Sequence, residues 1–505
     1  MPEARLSRQP LFVVLMWFAA GAMLVPAAHA LAAESYVELR AFLFGSFLVF
    51  IGSGIVALTL RGRHPDESAF VQLATLLAAM VVLPAVFAVP FLMARPVETT
   101  VFDGWFEMLS SFTTTGATLW PDPQDLSETL HLWRGVVGWL GGLLMWVAAM
   151  AIFAPLNLGG FEVRASYGTS ANVSSFSQLD RQAGPYERLD RYFSQLAPIY
   201  VAMTFVLTFG MILSGQSSYH AFCHALAVMS TSGISPVGGL SYAGGGVIAE
   251  VLVFLFLGLA LSRRTYGKVL PGEITSSVRN DHEFRLGLLI IAVSSATLFV
   301  RHWIGSVDGT TPGNALAAAW GAIFTVTSFL TTLGFASQHW TSATLWSGLE
   351  TPGLVLIGLA IFGGGIGTTA GGVKLLRVHA LYQHGKREIE RLVHPSSVGG
   401  AGSDARRIRR EGAMIAWVFF MLFAMSLALL MLCLSATGVS FEDSMVLAVA
   451  SLTNCGPLVR IGAETPIAYA QLSELAQGIL AAGMVMGRLE LLAIIALLNP
   501  DFWRG

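Results

Sequence analysis

Four times along this chain a short polar loop ending in glycine follows an apolar stretch too short to cross a bilayer. The loops read Thr113-Thr114-Thr115-Gly116, Ser230-Thr231-Ser232-Gly233, Thr331-Thr332-Leu333-Gly334 and Thr453-Asn454-Cys455-Gly456. Their glycines are 117, 101 and 122 residues apart (233−116, 334−233 and 456−334). A hydrocarbon interior tolerates non-helical backbone only where it lines a water-filled cavity or is buried in protein. Each loop sits between full-length apolar segments, so the pattern predicts four re-entrant loops lining a single pore. For one T-T-x-G alone, an ordinary turn or helix C-cap explains the sequence better; four at matching positions favour the pore.

Composition sets the class. The 505 residues are 54% hydrophobic and 12% charged, with a mean hydropathy of +0.66. A soluble domain carries about twice that share of charge, so this is an all-α, polytopic membrane protein. Three isolated cysteines, Cys223, Cys433 and Cys455, offer neither a disulfide framework nor metal spacing and read as small buried side chains.

Apolar runs long enough to span, on the order of 20 residues, lie near 11–33, 37–60, 69–94, 131–155, 195–214, 244–262, 284–303, 351–378, 412–436 and 470–498. Half-length runs near 101–114, 218–231, 315–331 and 441–453 precede the glycine loops. With the N-terminus inside, 23 of the 29 basic residues fall in cytoplasmic segments. They include Arg61, Arg63, Arg181, Arg188, Arg263, Arg264, Lys374, Arg377 and the run from Lys386 to Arg410. That bias fixes the orientation, with both termini cytoplasmic and the glycine loops toward the outside. The segment 386–410 reads either as ordinary positive-inside charge or as a docking surface for an acidic partner. The first run has two readings as well: a retained span, or a cleavable signal ending near Ala28-His29-Ala30. Two N-terminal spans (1–62) are expected to precede four pore repeats at 63–160, 161–265, 266–405 and 406–505. Repeats of one orientation imply an axis along the membrane normal.

A half-helix that stops inside the membrane turns its negative C-terminal end toward the cavity and favours cations there. The loop beyond it presents carbonyl oxygens in place of a hydration shell. Glycine supplies backbone freedom, and threonine or serine hydroxyls add oxygens and local hydrogen bonds. The expected filter residues are Thr114, Thr115 and Gly116; Thr231, Ser232 and Gly233; Thr332, Leu333 and Gly334; and Asn454, Cys455 and Gly456. Without a ring of carboxylates, such a filter suits a monovalent ion over Ca²⁺ or Mg²⁺.

Two further features lie in the apolar spans. Residues 363–372 hold six glycines in ten, too many for a helix at up to about 1 kcal/mol each. The segment 363–373 is expected to break its span and form a mobile flap across the pore, with Gly364, Gly365, Gly367, Thr368, Thr369, Gly371, Gly372 and Lys374 as gate residues. Close packing through small residues is the alternative. Arg488, in Gly487-Arg488-Leu489-Glu490, stands in the final span either as a positive barrier in the path or as one half of an ion pair between repeats. Glu490, two residues on, points elsewhere and is a poor partner for it. Arg134 reads as a side chain snorkelling to the outer interface.

Two other classes compete. A secondary transporter of an organic substrate would hold it at the 363–373 break, but that class carries two discontinuous helices in inverted halves. A membrane enzyme needs a ligand set or a nucleophile with its base, and the histidines show no paired spacing.

The motifs from residue 105 onward, in order, are Ser111-Phe112-Thr113-Thr114-Thr115-Gly116-Ala117-Thr118, Trp133-Arg134, Trp139-Leu140-Gly141-Gly142, Thr331-Thr332-Leu333-Gly334-Phe335-Ala336, Gly367-Thr368-Thr369-Ala370-Gly371-Gly372-Val373-Lys374, Arg387 to Pro395, Asn454-Cys455-Gly456-Pro457 and Gly487-Arg488-Leu489-Glu490. Together they resemble the Trk/Ktr/HKT superfamily of potassium transporters, most closely its bacterial TrkH branch. The resemblance implies K⁺ uptake across the bacterial inner membrane, with K⁺ as the transported ion at Gly116, Gly233, Gly334 and Gly456 and no covalent cofactor. It implies a gate formed by the 363–373 loop and Arg488. It implies a homodimer in membrane lipid, regulated by a cytoplasmic nucleotide-binding subunit of the TrkA kind, with no nucleic-acid partner. Glycine at 116, where sodium-preferring relatives carry serine, favours K⁺; a sodium-permeable or weakly selective cation transporter is the alternative. The chain departs from the family at Thr231-Ser232-Gly233-Ile234, at Thr453-Asn454 and along 156–194.

Overall fold

The structure is a computed structural model, and it describes residues 10–60, 68–94, 99–165, 184–262, 281–304, 312–394 and 410–498. Among these residues the regular structure is helical, with no strand. The N-terminal half runs α1 (Leu11–Ala22), α2 (Leu24–Ala32), α3 (Tyr36–Thr59), α4 (Ala69–Ala94), α5 (Val101–Phe112), α6 (Glu128–Ala148), α7 (Phe161–Ala165), α8 (Pro185–Leu213), α9 (Ser218–Ser230) and α10 (Gly246–Leu261). The rest runs α11 (His282–Ile304), α12 (Pro312–Leu330), α13 (Trp340–Ser347), α14 (Gly353–Phe362), α15 (Leu375–Val393), α16 (Arg410–Ala436), α17 (Phe441–Leu452), α18 (Leu458–Ile461), α19 (Glu474–Leu489) and α20 (Leu491–Leu498).

Seven helical segments are long and apolar enough to span, and they match seven of the ten expected runs. The other three differ. The run 244–262 forms the 16-residue α10, and the run 351–378 breaks after Phe362 at its glycines. The final run, expected as one helix, bends by 97° at Glu490, whose φ is +64°. A non-glycine residue in the left-handed region cannot continue a right-handed helix.

Burial sorts the spans into layers. In the apolar window of α6 83% of residues are buried, against 22% in that of α16. Thus α6 is central, while α16 turns Met425, Leu429 and Leu432 outward. Exposed apolar side chains on this scale need a hydrocarbon solvent. The first run packs as a span: α1 and α2 lie against α3, and His29 Nδ1 is 3.0 Å from Thr129 Oγ1 on α6.

Residues Arg5, Arg8, Arg61, Arg63, Arg181, Arg263, Arg264, Lys268, Arg279, Arg406, Arg407, Arg409 and Arg504, on which orientation rests, lie outside the described residues, as do 395–409 and the repeat boundaries at 62, 265 and 405. Three residues assigned to cytoplasmic segments are instead buried: Arg188, whose Nε donates to the Ala151 carbonyl at 3.1 Å, Lys374 and Arg377. Cys223 and Cys455 are buried as expected, whereas Cys433 is half-buried.

Candidate functional site

The four half-helices α5, α9, α12 and α17 end in the same way. Three of them begin on a hydroxyl N-cap: Thr100 in a reciprocal capping box with Asp103, Ser217 accepting from the His220 amide, and Ser440 accepting from the Asp443 amide. Each then stops at a residue in the left-handed region, namely Thr114 (φ 55°), Thr231 (51°), Thr332 (57°) and Asn454 (54°). The next amide reaches back five residues at 2.9 Å in every case: Thr115 to Ser110, Ser232 to Ala227, Leu333 to Ser328 and Cys455 to Ala450. The hydroxyls of Thr113, Ser230, Thr331 and Thr453 donate to the carbonyl four residues earlier, at 2.7–2.8 Å. This is a Schellman-type C-cap built four times. The cap reading of a single T-T-x-G is therefore correct as local geometry. What is unusual is its residue: glycine or asparagine fills such a position at little cost, whereas a β-branched threonine there carries strain of about 1–3 kcal/mol.

The four caps close into a ring. A Cβ on Gly116 would collide with the Ser232 carbonyl, one on Gly233 with the Leu333 carbonyl, one on Gly334 with the Pro457 ring, and one on Gly456 with Thr115 and Ala117. The contacts run from loop one to two, two to three, three to four and four back to one. The first three glycines also adopt positive φ; Gly456 does not, because the following Pro457 restricts it. Its amide instead donates to the Thr115 carbonyl at 2.7 Å, and Asn454 Nδ2 donates to Thr115 Oγ1 at 3.0 Å, which joins the last loop to the first. At the left-handed positions, the buried Thr114 Oγ1, Thr231 Oγ1 and Asn454 Oδ1 have no hydrogen-bond partner among the described residues. The fourth such oxygen, Thr332 Oγ1, accepts from the Gly371 amide at 2.8 Å.

Gly371 belongs to the glycine-rich break, which lies directly against the ring. Thr369 Oγ1 donates to the Met229 carbonyl at the end of α9, and the missing Cβ of Gly371 makes room for the Thr453 carbonyl. The break is an ordered hairpin: Gly363, Gly367, Gly372 and Lys374 have positive φ, and Val373 and Leu375 donate to Ile361 and Gly364 at 2.9 and 3.0 Å. Gly365 donates to Ala260 and Ile366 to Glu283 Oε1. Thr368 Oγ1 caps the Gly365 carbonyl at 2.7 Å, and Lys374 Nζ donates to the Ala370 carbonyl. From the other side Arg488 Nη1 donates to the Thr369 carbonyl at 2.6 Å. Its Nε and Nη2 are buried without a partner among the described residues. A cavity of about 20 Å³ lined by Thr368, Ala370, Lys374, Gly487, Arg488 and Glu490 remains there. That is space for about one water.

A model of the family TrkH, described as "Cation transport protein", matches residues 285–501. Among curated proteins the chain is 30% identical, over 427 residues and 84% of each chain, to the Trk system potassium uptake protein TrkH of Escherichia coli (strain K12). The chain belongs to the Trk potassium-uptake (TrkH) family. It is also 27% identical over 512 residues, 97% of each chain, to the Trk system potassium uptake protein TrkG of the same organism. Its fold matches the crystal structure of the potassium transporter TrkH from Vibrio parahaemolyticus with a TM-score of 0.80, at 23% identity and over 99% of both chains.

For this TrkH-family chain, sequence reasoning placed the ring and the break but missed two buried ion-pair clusters. Arg377, counted above as a loop charge, is fully buried: Nε meets Glu162 at 2.7 Å, Nη2 meets Glu490 at 2.6 Å, and its guanidinium lies 3.6 Å from the Phe419 ring centroid. Glu490 thus pairs with Arg377 and not with Arg488, and no ion pair involves Arg488 among the described residues. Arg134 does not snorkel. It is buried against Glu107 at 2.5 Å, and Glu107 Oε2 accepts the Leu119 amide at 2.9 Å just beyond the first glycine. A carboxylate inside an apolar half-helix was the available signal, since an intramembrane charge needs a partner.

Proposed function

We propose that this protein conducts K⁺ into the cell across the bacterial inner membrane, through a channel-like pore whose filter is the ring of four glycine loops. In this reading four helix–loop–helix repeats surround the ring, two extra N-terminal spans flank it, and both termini are cytoplasmic. The observation that carries it is the set of four left-handed caps in cyclic contact, three of them on strained threonines, with buried oxygens at Thr114, Thr231 and Asn454 left unpartnered among the described residues. Unpaired buried oxygens are costly unless something satisfies them, and a partly dehydrated monovalent cation does so without a carboxylate ring. The glycine-rich break is the gate, held against the ring by Gly371 and latched by Arg488 on the Thr369 carbonyl. The protein works as a homodimer under a cytoplasmic nucleotide-binding subunit, the partner class of Trk systems.

The test is ion flux in proteoliposomes, with and without candidate cytoplasmic subunits. K⁺ uptake well above Na⁺ uptake is expected, and equal rates would leave only the weakly selective alternative. Gly116→Ser places a side chain at φ 73° against the Ser232 carbonyl. It is expected to lower K⁺ over Na⁺ discrimination about tenfold, roughly 1.4 kcal/mol, read from competition of Na⁺ with K⁺ uptake.

A further inference from the structure

Each glycine loop is braced from behind by a different group, two to four residues beyond its glycine or on the glycine itself. Loop one is held through the Leu119 amide by Glu107, whose charge Arg134 neutralises. In loop two Ser235 Oγ lies 2.9 Å from His224 Nε2, and in loop four the Tyr469 hydroxyl donates to the Gly456 carbonyl at 3.3 Å. Loop three is held by Glu250, a residue of α10 and so of the neighbouring repeat. Glu250 is 1% exposed. Its Oε1 accepts the Gln338 amide at 2.6 Å, and its Oε2 accepts Trp320 Nε1 at 2.7 Å and Ser337 Oγ at 2.8 Å. Ser337 Oγ in turn accepts the His339 amide at 3.1 Å.

We propose that Glu250 is a positioning residue for ion discrimination, which fixes the third loop from outside its own repeat and places behind that loop a carboxylate with no ion-pair partner among the described residues. The proposal rests on the pore reading above. All three donors are uncharged, so the bonds orient the carboxylate without cancelling it, in contrast to Glu107. The contacts lie beyond the glycine and toward the N-terminal half of α12, whereas the glycine-rich break touches the C-terminal ends of the half-helices. A fixed charge at this end raises local cation concentration through a low-dielectric wall. Its bidentate grip sets the distance between Gln338 and α12, and through it the carbonyls of the loop.

Two variants separate the two roles in K⁺ and Na⁺ uptake by proteoliposomes of the full chain. Glu250→Gln removes the charge and turns an amide NH₂ toward at least one donor that has no acceptor capacity, the Gln338 amide or Trp320 Nε1. It is expected to raise the K⁺ concentration for half-maximal uptake by about threefold and to lower K⁺ over Na⁺ discrimination by a similar factor. Ser337→Ala removes one of the three bonds to the carboxylate, together with the acceptor of the His339 amide, and keeps the charge, so discrimination falls while the half-saturating concentration stays as in the native protein. A structural role alone would change the amount of active protein and neither ratio. Glu250→Gln, recovered folded and with both quantities unchanged, overturns the proposal; should that variant not fold, unchanged discrimination in Ser337→Ala overturns it. If Gly116→Ser shifts discrimination and neither variant does, only the role of Glu250 is lost. If none of the three shifts it, the pore reading fails as well.

Discussion

Arg377→Ala is expected to be the most damaging single substitution in the protein, lowering stability by about 3–5 kcal/mol. The guanidinium is fully buried and satisfies two carboxylates, Glu162 and Glu490, while stacking on Phe419. Alanine leaves two buried negative charges facing one another and a void over the ring. Breaking a buried pair from one side costs far more than replacing every partner by neutral groups of similar shape. The triple change Arg377→Met, Glu162→Gln and Glu490→Gln should therefore recover much of the loss. Thermal unfolding of purified protein, followed by size-exclusion chromatography, measures both. An Arg377→Ala variant as stable as the native protein would mean that the cluster contributes nothing. Because Glu490 holds the 97° bend of the last span and Arg377 opens the helix after the break, partial survivors should also show altered flux.

Arg488→Ala is expected to raise K⁺ uptake by about tenfold, equivalent to roughly 1.4 kcal/mol off the barrier. Two effects act in the same direction. The bond from Nη1 to the Thr369 carbonyl, a charge-assisted one worth about 1.5–3 kcal/mol, is lost, which frees the break from α19. The substitution also removes a buried positive charge beside a cavity of about 20 Å³, which the proposed conduction path would cross. Lysine in its place keeps the charge but not the planar fork, so Arg488→Lys separates the latch from the electrostatic barrier. Uptake unchanged in Arg488→Ala would remove both roles.

The four half-helices and their caps were legible because two signals coincided: half-length apolar runs, and T-T-x-G or a variant of it at their ends. Backbone chemistry in hydrocarbon leaves few other solutions. The break at 363–373 was equally plain, since glycines in such density cannot sustain a helix. The bend at Glu490 was not. Nothing in Leu489-Glu490-Leu491 announces a left-handed residue, and its cause is a partner 113 residues earlier in the chain. Arg377 was read as a loop charge for the same reason: Glu162 lies 215 residues away, and only folding brings the two together. Glu250 and Glu107 were visible as acidic residues in apolar surroundings, but their amide partners are set by tertiary approach alone.

The seam between the fourth and first loops has a consequence for biosynthesis. The Gly456 amide meets the Thr115 carbonyl, so the ring stays open until the fourth loop, more than 300 residues after the first, has entered the membrane. Up to that moment the strained threonines and their unsatisfied oxygens face an incomplete circle. A chain arrested before the fourth loop therefore leaves Thr115 without the Gly456 amide and the Asn454 side chain, the two donors that join the last loop to the first.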